Sequence, residues 1–162
     1  MVLTSLTGEE QSWRERFADI ATSRGLLTDF QRENILQSIN APAQGASVEH
    51  AYEAIKRLKA EGVDIVAGTD SCEGLQGTAM GPSLWQELSM YVEKCGFSVE
   101  EALRSATEVS ARRFGFGDRG TVHEGKRADL VLVKGDLLKS LDCLWKEEGI
   151  VKVWRQGYLA AA

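Results

Sequence analysis

The feature that most constrains the fold of this chain is a short apolar run, Val63–Ala67, which ends abruptly in Gly-Thr-Asp-Ser at residues 68–71. A helical pattern precedes the run, and a glycine-rich loop and another helix follow it. Parallel strands that are covered on both faces are almost continuous in Val and Ile, so the run predicts a buried parallel strand. In α/β folds the loops just beyond such strands carry the chemistry.

Asp70 is the residue of this stretch with the clearest chemical potential. A carboxylate that is held by a rigid strand and is open to a cleft can accept a proton or bind a metal ion. On the local sequence alone a simpler interpretation stays open, in which Asp70 or Ser71 only caps a turn or a helix.

The composition limits the class of protein. The 162 residues are 43% hydrophobic and 27% charged, which is typical of one globular domain or of a domain with a small appendage. A net charge of -5 without a stripe of Lys and Arg argues against nucleic-acid binding, and no apolar run approaches the roughly 18 residues that span a bilayer. The three cysteines form no C-x-x-C pair and follow no evident secretory leader, so we predict a reducing, cytoplasmic compartment.

Apolar residues at helical spacing predict helices that begin after Thr28, Ser47 and Ser98. The last of these starts with a capping box, in which Ser98 and Glu101 satisfy each other's backbone N–H groups. Another helix is predicted from about Pro82 to Cys95, since Pro suits the first turn of a helix. The first predicted helix carries an apolar face of Trp13, Phe17, Ile20 and Ala21.

Short strands are predicted at both ends of the chain. They are Met1–Thr7, Gly117–Val122, Ala128–Val133 and Ile150–Arg155. A chain that begins inside a strand suggests that it is cut or starts at an internal methionine. The sequence therefore predicts an α/β part over residues 1–114, followed by a small β appendage over residues 115–162.

Several short motifs succeed one another along the second half of the chain. After residues 68–71 come Glu87-Leu88, then the stretches 96–103, 105–107, 111–115, 118–122, 125–132 and 150–157. Each motif is weak by itself, but their order and spacing are specific. Together they resemble the C-terminal portion of the amidohydrolase superfamily, close to the branch of imidazolonepropionase and the metal-dependent prolidases.

The resemblance implies a (β/α)8 barrel with a β-sandwich built from both chain ends. Residues 1–114 would then be the last two β/α units of an incomplete barrel, with Met1–Thr7 as the seventh strand and Val63–Ala67 as the eighth. Two strands cannot close a barrel and would leave parallel edges exposed, so we expect a homo-oligomer or a partner chain that covers them.

In the family, the aspartate that corresponds to Asp70 binds the catalytic divalent metal, usually zinc. It accepts a proton from the metal-bound water and passes it to the leaving nitrogen. The resemblance therefore implies metal-dependent hydrolysis of amide or cyclic amide C–N bonds in a small-molecule substrate, with Asp70 as catalytic residue and metal ligand. Glu87 matches a frequent glutamate of the family, for which we expect a structural role rather than a catalytic one.

The chain lacks most of the other residues that this chemistry needs. A catalytic zinc site requires about three protein ligands besides water, and Asp70 supplies one of them. Neither His50 nor His123 has ligand spacing to the other or to Asp70, and Cys72 is either a further ligand or an inert thiol. We therefore expect that this chain alone does not bind a catalytic metal tightly.

The pocket also departs from the family pattern. Trp85 stands where the family often has His, and with Leu75 and Met80 it would form an apolar wall suited to a hydrophobic amide or a dipeptide-like substrate.

Three functions are compatible with the sequence. The first is the C-terminal part of a C–N hydrolase. The second is an inactive remnant, or a subunit that completes a partner. The third is a phosphate-binding module, although its loop lacks the P-loop ending and the G-x-G-x-x-G spacing. A serine hydrolase is disfavoured because the sequence has no G-x-S-x-G motif.

Overall fold

The computed structural model describes residues 2–41, 44–145 and 149–161. These residues form seven α-helices, one short 3-10 turn and three strands. The helices are α1 (Val2–Thr7), α2 (Gln11–Ser23), α3 (Asp29–Leu36), α4 (Val48–Ala60), α5 (Pro82–Cys95), α6 (Val99–Ala106) and α7 (Glu108–Arg113). The 3-10 turn is Leu141–Leu144, and the strands are β1 (Leu130–Val133), β2 (Ile150–Arg155) and β3 (Tyr158–Ala161). None of the described helices is both long enough and apolar enough to cross a membrane.

The helix starts follow the predicted caps. At α3, Thr28 Oγ1 accepts from Gln31 N at 3.1 Å, and Gln31 Oε1 accepts from Thr28 N at 3.0 Å. At α6 the same reciprocal pair forms between Ser98 and Glu101, with N···O distances of 3.1 and 2.7 Å. Ser47 caps α4 through the N–H of the second helical residue. The capping box predicted at Ser98 is confirmed, because caps depend on residues only three positions apart.

The strands of the described residues all lie between residues 130 and 161 and form one antiparallel sheet in the order β1-β2-β3. The strand predicted over Ile150–Arg155 is confirmed, and Ala128–Val133 is confirmed in its second part. The sheet also contains β3, which the sequence pattern missed. Gln156 and Gly157 both have positive φ, of 56° and 83°, so they form a two-residue hairpin that returns the chain along β2.

Three predicted strands are wrong. Met1 is outside the described residues, and residues 2–7 form the helix α1. Residues 63–67 have no regular secondary structure and pair with no strand, and residues 117–121 form turns and bends. The physical reason is the same for the first two segments. A parallel strand needs a neighbour for its backbone N–H and C=O groups, and the described part of the chain offers none beside them.

The core centres on an aromatic cluster that joins α2, α5 and the residue after the 3-10 turn. Phe17 is fully buried. Its ring centroid lies 5.1 Å from that of Trp13, 5.4 Å from that of Trp145 and 6.5 Å from that of Trp85. Trp145 lies beyond residue 114, so the predicted barrel part and the predicted appendage share this cluster. The division of the chain at residue 114 stays a prediction.

Acid should weaken the α6 capping box by protonating Glu101, and the substitution Glu101→Gln separates this effect from the other effects of acid. The N–H of Ser98, and then the Lys59 ammonium, hold the pKa of Glu101 below its ordinary value of 4.5. A lowered folded-state pKa means that the stabilisation is complete above about pH 4.5 and is lost as pH falls through the folded pKa. We therefore expect the urea midpoint to fall more between pH 6 and pH 3 in the wild type than in Glu101→Gln.

The neighbouring substitution Glu100→Gln serves as the control for this measurement, because Glu100 lies outside the capping box. An equal acid dependence in the wild type and in Glu101→Gln would contradict the expectation.

Candidate functional site

Asp70 lies at the end of segment 63–70, which has no regular secondary structure and runs from the end of α4 into the glycine-rich loop before α5. Its side chain is exposed and makes no hydrogen bond or ion pair with any described residue. Its φ of 53° is in the left-handed region, which Asp tolerates better than most residues. The Asp70 carboxylate is therefore accessible to solvent, and its predicted role as catalytic residue and metal ligand stays a prediction.

Ion pairs and hydrogen bonds hold segment 63–70 at three points along its length. Near its start, Asp64 binds the guanidinium groups of Arg112 and Arg113 at 2.9 and 2.6 Å. Further along, Ala67 N donates to Ser105 O at 3.2 Å. At its end, the Gly68 N–H donates to the carboxylate of Glu87 on α5 at 2.8 Å. The segment is therefore anchored by side chains and one backbone carbonyl of helices α5, α6 and α7 rather than by a sheet.

A cavity of about 300 Å³ lies beside the residues that follow Asp70. It is lined by Thr28, Phe30, Gln31, Asn34, Cys72, Glu73, Gly74, Thr78, Ala79 and Met80. The Asn34 amide donates to the carbonyls of Leu75 and Thr78 and so holds the loop against α3.

Only one of the three residues predicted to form an apolar wall lines this cavity. Met80 lines the cavity, whereas Leu75 and Trp85 are not among its lining residues. Trp85 packs towards Phe17 in the aromatic cluster instead. A large aromatic ring on α5 gains more from the core than from a solvated cleft, because the hydrophobic effect scales with the apolar area that is removed from water.

The residues around Asp70 do not fit a catalytic metal site. His50 is exposed on α4, and His123 is exposed in a turn, where its Nδ1 lies 3.2 Å from the carbonyl oxygen of Glu124. Cys72 is an exposed free thiol. Across the described ranges, no three His, Cys, Asp or Glu side chains are grouped so that they could hold a metal ion. Asp70 is thus one ligand where a catalytic zinc needs about three.

This ligand count leads to an expected result for metal retention. After purification, loading with zinc and exhaustive dialysis, the chain should retain far less than one equivalent of zinc. Asp70→Asn should retain the same small amount. Metal analysis by mass spectrometry measures both proteins side by side. One equivalent in the wild type that is lost in Asp70→Asn would contradict the expectation.

Comparison with known proteins identifies the family. The model of the amidohydrolase family matches residues 15–160. The chain is a mixed α/β protein and belongs to the amidohydrolase family. Members of this family generally depend on a metal ion, and their activity is hydrolytic.

Two curated relatives are imidazolonepropionases. The protein of Cutibacterium acnes (strain DSM 16379 / KPA171202) is 38% identical over 90 residues, which cover 56% of this chain and 22% of that protein. The protein of Alteromonas mediterranea (strain DSM 17117 / CIP 110805 / LMG 28347 / Deep ecotype) is 40% identical over 78 residues, which cover 48% of this chain and 18% of that protein. The matched part is thus about a fifth of the length of these relatives.

Solved structures extend the similarity over more of the chain. An amidohydrolase crystal structure superposes with a TM-score of 0.61 at 26% identity, covering 88% of this chain and 32% of that one. A protein from Bifidobacterium longum that is proposed to be a prolidase gives a TM-score of 0.61 at 26% identity and covers 90% and 33%. The branch predicted from the motifs, between imidazolonepropionase and prolidase, is confirmed. The chain spans about a third of the length of these structures.

Proposed function

We propose that this chain supplies the C-terminal part of an active site that hydrolyses amide or cyclic amide C–N bonds. The observation that carries the proposal is the exposed carboxylate of Asp70, which has no described partner and stands at the end of an anchored segment. The loop that follows contributes Cys72, Glu73 and Gly74 to the lining of the cavity, although Asp70 itself does not line it. A carboxylate in that position can take a proton from an attacking water and return it to the leaving nitrogen. Membership of a hydrolase family supports this role.

The rest of the site has to come from outside the described residues. Asp70 alone cannot hold a catalytic zinc ion, which needs about three protein ligands. The proposal is that further ligands, and zinc as the metal, join Asp70 in a completed protein. We define the completed protein as this chain joined to the remaining barrel, either through a reading frame that extends upstream or in a chimera with the Cutibacterium acnes relative.

The experiment compares the hydrolysis of a cyclic amide and of X-Pro dipeptides by this chain and by the completed protein. We expect no turnover by the chain alone and turnover by the completed protein. A folded completed protein that cleaves neither substrate class would overturn the proposal.

A second candidate function is an inactive remnant, or a subunit that complements a partner. The observation in its favour is that no three His, Cys, Asp or Glu side chains of the described residues are grouped so that they could hold a metal ion. A folded but inactive completed protein supports the inactive remnant, whereas hydrolysis by the completed protein excludes the remnant and is compatible with a complementing subunit.

We further propose that a second copy of the chain, or the rest of the barrel, covers the exposed apolar residues on the edge strands of the sheet. Val131 and Leu132 on the edge strand β1, and Leu159 on the edge strand β3, are about half exposed. Exposed apolar residues on sheet edges favour association. Gel filtration with light scattering should show oligomers, whereas a compact monomer that unfolds cooperatively would contradict the proposal.

We also propose a cytoplasmic location for this protein, which is tested by fractionation of the native cell.

A further inference from the structure

Glu87 on α5 is a buried carboxylate that the hydrolytic chemistry does not use. Its side chain lies six residues into the helix, and the residue is 6% exposed. One oxygen, Oε1, accepts two hydrogen bonds, from Gly68 N at 2.8 Å and from the Tyr91 hydroxyl at 2.7 Å. The same atom therefore joins the helix to the backbone just two residues before Asp70.

Tyr91, which donates to Glu87, is itself held in place by aromatic packing. The Tyr91 ring stacks on the Phe97 ring with a centroid distance of 5.0 Å. The Lys59 ammonium lies 5.0 Å from the centroid of the same Phe97 ring. Burial, and then the charge of Glu87, raise the pKa of Tyr91, so its hydroxyl keeps its proton and remains a donor to Glu87. The Tyr91 hydroxyl thus orients the Glu87 oxygen that accepts the Gly68 N–H.

Packing alone does not explain a carboxylate at this position. Among the described residues its bonding partners are two neutral donors, and its second oxygen, Oε2, is buried without a partner. A buried acidic group without a paired cation destabilises a fold relative to an apolar side chain of the same size. A charged acceptor does, however, form a stronger hydrogen bond to a backbone N–H than a neutral one does.

We propose that Glu87 is a positioning residue for Asp70. Its carboxylate holds the Gly68 N–H, Tyr91 orients that carboxylate, and the backbone from Gly68 to Asp70 is thereby kept in one conformation. Asp70 needs this support because its segment has no regular secondary structure and pairs with no strand of the described residues. The role in catalysis rests on the proposed function of Asp70, whereas the tether itself is a property of this chain.

The experiment measures hydrogen exchange of the Gly68 amide in the 162-residue chain by NMR. Glu87→Gln keeps an oxygen acceptor but removes its charge, so we expect Gly68 to exchange a few-fold faster. Glu87→Ala removes the acceptor, and we expect an acceleration of about tenfold or more. Tyr91→Phe leaves the acceptor in place and should give a smaller change than Glu87→Ala.

The matched control is Ser47→Ala, which removes the cap of α4 and destabilises the chain elsewhere. Exchange at Gly68 is compared after correction for the global stability of each variant. If Gly68 exchanges no faster in Glu87→Gln and Glu87→Ala than in Ser47→Ala, the tether is overturned. Glu87→Gln keeps the size and polarity of the side chain, so the test stands even if Glu87→Ala fails to fold.

The catalytic arm uses the completed protein. We expect Glu87→Ala to lower kcat more than it changes KM, and Glu87→Gln to recover much of the loss. An unchanged kcat in Glu87→Ala, together with faster exchange at Gly68, would refute the positioning role and leave the proposed function intact. Absence of hydrolysis by the wild-type completed protein refutes the proposed function, whereas the exchange of Gly68 still decides the tether.

Discussion

Asp70→Asn is expected to lower the rate of C–N bond hydrolysis by the completed protein about 10²–10⁴-fold, which is the range for the loss of a general acid–base group. Asn has the size of Asp but cannot take up or release a proton near neutral pH. It also tolerates the left-handed backbone, where Asp70 has a φ of 53°. The substitution should therefore remove the chemistry and leave the loop in place.

The control for this substitution lies on the same segment. Asp64→Asn breaks the ion pairs to Arg112 and Arg113 near the start of the segment, but it leaves the Asp70 carboxylate and the Gly68–Glu87 hydrogen bond in place. Its kcat should stay within about threefold of the wild type, a difference of less than about 1 kcal/mol in the barrier. Circular dichroism establishes that both variants are folded. Equal losses of kcat in the two variants would assign the effect to the segment and not to the Asp70 carboxylate.

Phe17→Ala is expected to have the largest effect on stability and to lower the free energy of unfolding by about 3–5 kcal/mol. Phe17 is fully buried and packs against three tryptophans, so its removal leaves a cavity that these large rings cannot fill without losing their contacts. A loss of this size is a large share of the total stability of a domain, which is about 5–15 kcal/mol.

Urea unfolding followed by tryptophan fluorescence measures this loss, since three of the four tryptophans surround Phe17. Phe30→Ala is the matched control, because Phe30 is 55% exposed and its loss should cost less than about 1 kcal/mol. Phe17→Leu keeps most of the apolar volume and should fall between the two. Similar losses for Phe17→Ala and Phe30→Ala would show that the aromatic cluster is not the centre of the core.

Helix starts were predictable because their determinants are local. The reciprocal bonds of Ser98 and Glu101 involve residues three positions apart, and Pro82 begins α5 at the predicted residue. The same locality explains the family assignment, since the motifs keep their order along the chain whatever the tertiary contacts are. The exposure of Asp70 followed from its place after an apolar run, although the run itself does not pair as a strand.

Strands and long-range contacts were decided by the tertiary structure. Residues 2–7 and 63–67 have strand-like composition, but a strand exists only where a neighbour pairs with its backbone, and none of the described residues provides one there. The contact of Phe17 with Trp145 joins residues 128 positions apart, and no local pattern encodes it.

The sequence by itself therefore determined the helix caps, the family and the carboxylate at residue 70. Only the tertiary structure decided that Glu87 binds the Gly68 N–H and that Trp85 packs against the core. The physical reason is range: capping bonds form between neighbours in the chain, whereas burial and side-chain anchors depend on which distant segments the fold brings together.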